Sequence, residues 1–270
     1  MRSVWWLAAS VVVASVALPG SAVEPLQDGS PAQPAEDSGP AASFHVRFEG
    51  EANPELARAV VAVLRDVERE YRERLGFGPR RPLTVILQNG AASPESRLPD
   101  WADGLYDGDI RVPAAGLSRP TERLVAVLRH ELAHSFVDSR TRGNCPAWLQ
   151  EGLSQWLEGA APDRDDGQLA ELAREGQLPA LLTLEAPFLE RQDDLVPIAY
   201  GASLSATAHI LRTRGVSGIV RLLESLGAGL PAEEALPNAL GMTYRQLQES
   251  WGAFLVGESE GPATPRAQGS

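Results

Sequence analysis

Residues 130–134 read His-Glu-Leu-Ala-His, and this short segment constrains the chain more than any other feature. On an α-helix, His130 and His134 lie one turn apart on the same face, so both imidazoles can reach a single metal ion. Glu131 lies about 100° round the helix axis from His130 and borders that face. This pattern is typical of zinc sites in which two histidines bind the ion and the glutamate acts as a general base. The sequence therefore predicts a helical metal site with Glu131 beside it.

The residues around this motif have the spacing of a buried helix. Neither glycine nor proline occurs between residues 121 and 142, Pro120 is compatible with a first helical turn, and Gly143 follows as a stop signal. Apolar residues recur every four positions along the segment: Leu124, Leu128, Leu132 and Phe136. Such a stripe is typical of a helix that packs into a core. We therefore expect the paired histidines on a helix over residues 121–142.

A second helix is predicted for residues 146–157, where Pro146 suits the first turn. Its apolar face is formed by Trp148, Leu149, Leu153, Trp156 and Leu157. Catalytic zinc typically takes three protein ligands and keeps a fourth position open, and two histidines with one glutamate form a standard set. Glu151 is therefore the expected third ligand.

The two motifs together resemble those of a known family. The sequence HELAH followed by P-x-W-L-x-E-G-L is similar to the gluzincin clan of metallopeptidases, and in particular to bacterial peptidase MA-like domains. The resemblance implies that Glu151 completes a zinc site with His130 and His134. It extends over residues 44–256 in layout, while residues 120–158 carry the specific motifs.

The resemblance also implies a fold and further roles. We expect an α+β, zincin-like fold with a small N-terminal sheet lobe, an edge strand over the cleft, the zinc-binding helix and a mainly helical C-terminal lobe. Part of residues 104–113 would form that edge, where a peptide substrate could add as a strand. Tyr200 would hydrogen-bond the oxyanion that develops on the scissile carbonyl. His209 is an alternative for this role, and a structural role remains open for both residues.

Two polar residues stand one helical turn beyond the expected ligands. Asp138 follows His134 by four positions, and Gln155 follows Glu151 by the same spacing. Either side chain could accept a hydrogen bond from a ligating imidazole and fix the orientation of the ring. Exposure to solvent is an equal alternative for both residues.

The rest of the chain predicts strands and helices in a regular order. Strands are expected at 43–49, 82–88 and 104–113, the last interrupted by the turn signal Asp107-Gly108. A helix should begin at Asn53-Pro54 and end at Gly76. Further helices are expected over residues 168–175, 198–214, 216–226, 232–240 and 243–255.

The ends of the chain differ in composition from its middle. Residues 1–22 combine Arg2, an apolar stretch and a small-residue cleavage site, which is typical of a cleaved signal peptide, with an uncleaved anchor as the alternative. Residues 23–42 form an expected disordered linker, residues 43–256 the metallopeptidase domain, and residues 257–270 a flexible tail. We therefore expect a secreted or periplasmic protein without stable membrane insertion after signal cleavage.

Composition limits the function further. The formal net charge is −12 and every basic residue is arginine, which argues against nucleic-acid binding because that function needs a basic face. Cys145 is the single cysteine, so the chain has no intrachain disulfide. A small residue at a helix start is the simpler interpretation of Cys145, and a reactive or metal-binding role is the alternative.

These observations favour a zinc peptidase that acts on peptides or proteins. Two other classes stay open at this point. In one, an envelope binding protein keeps the zinc site as a structural feature, although a purely structural site does not need Glu131. In the other, the protein is a zinc hydrolase that cleaves a non-peptide bond. This class stays open because neither the motif nor the metal identifies the bond that is hydrolysed.

Overall fold

The structure is a computed structural model that describes residues 12–13, 43–89, 103–188 and 196–257. The predicted signal peptide except Val12–Val13, the predicted linker and residues 258–270 lie outside the described residues. Within the described ranges, no helix has both the length and the apolar character needed to span a membrane.

A small mixed sheet forms the N-terminal part of the fold. Its strands are β1 (Val12–Val13), β2 (Phe44–Gly50), β3 (Leu83–Asn89), β4 (Leu105–Tyr106) and β5 (Ile110–Pro113), in the spatial order β1-β4-β5-β3-β2. The pairs β2–β3, β3–β5 and β1–β4 are parallel, and β4–β5 is antiparallel.

The predicted strand over residues 104–113 is in fact a hairpin, with β4 and β5 on either side of Asp107-Gly108. β5, the strand directly before the metal-site helix, lies inside the sheet between β3 and β4, so the expectation that this strand forms the edge is wrong for β5. β4 lies next to the outer edge, where the backbone of Val12–Val13 pairs with it. The cause is the Asp107-Gly108 turn, which folds β4 back against β5.

The body of the protein is mostly helical, which confirms the α+β class. The helices are α1 (Pro54–Leu75), α2 (Glu122–Thr141), α3 (Ala147–Glu158), α4 (Asp166–Arg174), α5 (Val196–Gly227), α6 (Ala232–Leu240) and α7 (Tyr244–Leu255), with a 3₁₀ turn at Leu181–Leu184. Gly215 has φ 66° and ψ 179° and interrupts α5, so the two helices predicted at 198–214 and 216–226 are confirmed as the two halves of this element.

Helix boundaries follow the predicted capping signals with small differences. The Asn53 side chain accepts from the Leu56 amide at the start of α1, and Gly76 ends that helix in the left-handed conformation, as predicted. α2 begins one residue later than expected, because the side chain of Thr121 accepts the Leu124 amide and serves as the N-cap. Pro120 therefore precedes the cap instead of lying in the first turn.

The packing of three helices creates the candidate site. Helix α3 packs against both α2 and α5, and the predicted stripe on α2 is buried. A β-carbon on Gly152 of α3 would collide with the Ser203 carbonyl oxygen and the Thr207 hydroxyl of α5. The glycine next to Glu151 thus allows the close α3–α5 approach that holds Glu151 in place.

Candidate metal centre and active site

The three predicted ligands converge on one point. One ligand atom from each of His130, His134 and Glu151 lies within 4.8 Å of the other two. Glu151 Oε2 is 3.5 Å from His130 Nε2 and 3.8 Å from His134 Nε2. All three side chains are buried. Two imidazole nitrogens and a carboxylate oxygen at this separation could hold a metal ion.

The same three atoms have no hydrogen-bond partner among the described residues. The 3.5 Å contact between His130 and Glu151 is close enough for an ion pair but does not have hydrogen-bond geometry. Buried polar atoms are normally paired, because leaving one unpaired costs about 1–3 kcal/mol. A shared cation would satisfy three unpaired atoms that face each other, so the residues fit a metal.

The opposite ring nitrogen of each histidine is hydrogen-bonded. His130 Nδ1 lies 2.9 Å from Glu158 Oε2, and His134 Nδ1 lies 3.2 Å from Ser154 Oγ. Because a carboxylate only accepts, the proton on His130 belongs on Nδ1, and the same assignment suits His134. Both Nε2 lone pairs are then free to point at a cation, the tautomer that a metal site needs.

Neither Asp138 nor Gln155 binds an imidazole, so the orienting role that was one of the two alternatives for them is wrong. Asp138 accepts from the Tyr106 hydroxyl, and the Gln155 amide donates to the carbonyls of Glu151 and Tyr200. The partners are instead Glu158 and Ser154, which sequence reasoning missed. A signal was present, because residues 151, 154 and 158 follow i, i+3, i+7 spacing and so share one face of α3.

Arg129 fixes the end of α3 that carries Glu158. Its guanidinium forms a two-pronged pair with Glu70 of α1, at 2.8 and 2.9 Å. It also donates to the carbonyl oxygens of Leu157 and Glu158 at the C-terminus of α3. Arg129 precedes His130, so one side chain ties α1, α2 and α3 together beside the candidate metal centre. Planar, two-pronged recognition of this kind is specific to arginine.

The Glu131 carboxyl is fully buried, and neither oxygen has a partner among the described residues. Burial raises its pKa well above the usual range, the negative charges of Glu151 and Glu158 add to this, and His130 opposes it. A carboxylate with a raised pKa is suited to take a proton near neutral pH. Burying a carboxyl group whose oxygens have no hydrogen-bond partner costs free energy.

Gly104, just before β4, packs closely against the side chain of Glu131. A β-carbon at Gly104 would lie 2.5 Å from Glu131 Oε1 and 2.6 Å from Val127 Cγ1. The bare backbone is therefore required for β4 to approach this carboxylate. Sequence reasoning also missed this position, because a glycine at the start of a predicted strand carries no local signal of what it faces.

The pKa of each predicted ligand depends on its burial and on the charges of its neighbours in the site. Burial lowers the pKa of His130, but Glu151 and Glu158 outweigh burial and raise it to about 10. Burial, with the neighbouring His130, depresses the pKa of His134. Burial raises the pKa of Glu151 against the opposing effect of His130.

Tyr200 lies near the start of α5 and is buried. Its ring packs edge-on against Phe188 with centroids 5.1 Å apart, and its carbonyl accepts the Gln155 amide of α3. These contacts attach the residue to the helix that carries Glu151. The role of its hydroxyl at the oxyanion stays a prediction.

His209, the alternative to Tyr200, has both ring nitrogens engaged elsewhere. Nδ1 accepts from Arg212, and Nε2 lies 3.0 Å from Ser250 Oγ on α7. Burial, together with the charges of Arg212 and Arg214, lowers its pKa to about 4. A neutral imidazole bridging α5 and α7 favours the structural interpretation.

Cys145 fits the simpler of its two interpretations. Burial raises the pKa of the thiol well above its usual value, so it stays protonated. The metal-capable cluster found among the described residues does not include it.

The chain is similar in sequence to a known protein family. No curated protein matches the chain. A profile of the Peptidase MA superfamily matches residues 73–257, which include both motifs and both helices of the candidate metal centre. The match covers more than half of the chain and supports a peptidase. The chain therefore belongs to the Peptidase MA superfamily.

Proposed function

We propose that this protein is a zinc-dependent peptidase that hydrolyses peptide bonds with an activated water molecule. The observation that carries the proposal is the convergence of three unpaired ligand atoms, from His130, His134 and Glu151, beside the unpaired carboxyl of Glu131. Two nitrogens and one carboxylate oxygen form a donor set that zinc accepts with one position left open for water. An open position distinguishes catalytic sites from closed structural ones.

Each residue has a distinct task in this proposal. When bound, zinc supplies Lewis acidity, which activates water and stabilises charge on the scissile carbonyl. His130, His134 and Glu151 hold the ion, and Glu158 and Ser154 keep the two imidazoles in the required tautomer. Glu131 takes the proton from the attacking water and passes it to the leaving amine. Tyr200 donates a hydrogen bond to the developing oxyanion.

The substrate is proposed to lie along β4. Gly104 brings the start of this strand against Glu131, so a peptide paired with β4 would pass the general base. The backbone pairing of Val12–Val13 with β4 indicates that this edge can accept an extended segment. Removal of the predicted signal peptide would leave the edge open, which fits a protein that works after export.

The test combines metal analysis with unbiased cleavage profiling of the exported form. We expect zinc to copurify and a chelator to abolish cleavage of a peptide library. The Glu131→Gln variant should keep zinc and lose about 100- to 10,000-fold in turnover, the range typical of general-base catalysis. Zinc retained with undiminished turnover in that variant would contradict the base assignment. Zinc without any peptide cleavage would instead favour a structural site or another bond.

A further inference from the structure

A small basic cavity lies at the far end of β4. Its volume is about 180 Å³, and its walls come from the loop between α1 and β3, from β4 and from the C-terminal half of α2. Three of the lining residues are arginines, Arg80, Arg81 and Arg142, and the one acidic lining residue is Asp138. All three arginines are exposed, so the cavity is open to solvent.

The charges of this cavity are not balanced within the described part of the chain. Asp138 accepts from the Tyr106 hydroxyl, and Arg81 is close enough to this hydroxyl to oppose the rise in its pKa. No carboxylate of the described residues pairs with Arg80 or Arg142. The chain carries a net charge of −12, so a local excess of positive charge is against its overall composition. Unpaired guanidinium groups around a cavity favour an anion, and carboxylates match their geometry.

The backbone at Arg142 gives an independent indication. Arg142 has φ 57° and ψ 39°, and it is the one residue other than glycine with positive φ in the described ranges. A glycine at the end of α2 would adopt this conformation without steric cost. Strained residues of this kind cluster at functional sites. An arginine at a position that suits glycine is explained if its side chain is needed in the cavity.

The cavity and the proposed general base, Glu131, lie at two positions along α2, next to the two ends of the 104–106 segment. Gly104, just before β4, lies against Glu131, and Tyr106, the last residue of β4, donates to Asp138. Glu131 and Asp138 are seven residues apart, so they share a face of α2 and are separated by about 10 Å along the axis. An extended peptide covers that distance in about three residues.

We infer that this cavity binds a carboxylate of the peptide substrate, about three residues from the bond that is cleaved. The inference rests on the proposed peptidase function and names its substrate class, peptides with a carboxylate at that position. The carboxylate can come from an aspartate or glutamate side chain or from the C-terminus of the peptide. Both sources present the same planar, charged group to the arginines.

The first experiment profiles cleavage by the zinc-loaded protein in peptide libraries with free and with amidated C-termini. We expect enrichment of an acidic residue, or of the free C-terminus, at one fixed position. For the Arg80→Gln, Arg142→Gly double variant, we compare kcat/KM for acidic substrates with kcat/KM for the matched Asn, Gln or amidated substrates. The ratio of the two values should fall by about tenfold, the factor expected for losing a charge-assisted hydrogen bond. Glycine suits the backbone at 142, so the variant should fold. The Arg174→Gln, Arg245→Gln double variant, at exposed positions on α4 and α7 that do not line the cavity, is the charge-matched control.

The second experiment reads binding without turnover. Labelled acidic peptides and their Asn/Gln counterparts are titrated onto the zinc-loaded Glu131→Gln variant, with and without the two arginine substitutions. Selective binding of acidic peptides that is lost in the double variant supports the inference. If no peptide is cleaved, the same binding result still supports the inference, and only the proposed activity is refuted. Cleavage with no positional acid preference, or a preference unchanged in the double variant, overturns the inference and leaves the activity standing.

Discussion

The Glu158 carboxylate lies 2.9 Å from Nδ1 of His130, one element away from the motif that contains the histidine. Glu158 follows Glu151 by seven residues, so one face of α3 supplies both the expected third ligand and the partner of the first. This face therefore contacts both ring nitrogens of His130. Glu158 is hydrogen-bonded to Nδ1, and Glu151 lies at Nε2, where the two residues would share the metal ion.

Replacing Glu158 by glutamine should weaken metal binding. The amide can still accept from Nδ1 but loses the charge that makes the imidazole a better ligand, and loss of such a partner typically costs about 10- to 100-fold in metal affinity. Zinc affinity is measured by competition with a chromophoric chelator. Glu171→Gln, at an exposed position on α4, is the matched control. Equal zinc affinity in the wild type and the Glu158 variant would show that Glu158 does not support metal binding.

Adding a methyl group at Gly104 should impair turnover and spare metal binding. The new β-carbon would meet Glu131 Oε1 at 2.5 Å, so either the carboxyl or β4 must move. Misplacing a reacting group by about 1 Å can cost about 100-fold in rate. Gly104→Ala is compared with Gly252→Ala, whose β-carbon makes only an ordinary 3.7 Å contact with Leu178. Full activity of Gly104→Ala would show that the approach of β4 to Glu131 is not needed.

Gly152→Ala should destabilise the fold through the α3–α5 interface. The β-carbon would collide with the Ser203 carbonyl, which is backbone and cannot swing away. Overpacking of this kind typically costs about 1–3 kcal/mol in the free energy of unfolding. Denaturant unfolding measures the change. Gly167→Ala, which has open space around the added carbon, should be neutral or slightly stabilising, and equal stability of the two variants would refute the packing argument.

His209 should contribute to acid sensitivity. Its pKa is lowered from 6.5 to about 4 in the folded protein, so the unfolded chain takes up the proton first as the pH falls. The stabilisation is complete above pH 6.5 and is lost progressively down to about pH 4. His209→Gln should therefore lose less stability than the wild type between pH 7 and pH 5 at equal metal content, as measured by denaturant unfolding. A loss of stability between pH 7 and pH 5 that is equal in His209→Gln and in the wild type would contradict this assignment.

Much of the secondary structure followed from local signals. The caps at Asn53 and Gly76 and the break at Gly215 were predicted because each depends on neighbouring residues alone. The split of residues 104–113 into two strands was suggested by the Asp107-Gly108 turn. Which of these strands lies inside the sheet was not predicted, because strand order is set by packing between distant segments.

The sequence by itself determined that His130, Glu131 and His134 share one helical turn, because side chains at fixed spacing on a helix meet in any fold. It also indicated Glu151 as the residue to join them. Only the tertiary structure decided that Glu158 and Ser154 hold the imidazoles, that Gly104 faces Glu131, and that the arginine-lined cavity lies beyond β4. These relationships join segments that are far apart in the chain, and their distances depend on how α3 and β4 pack against α2 instead of on any local pattern.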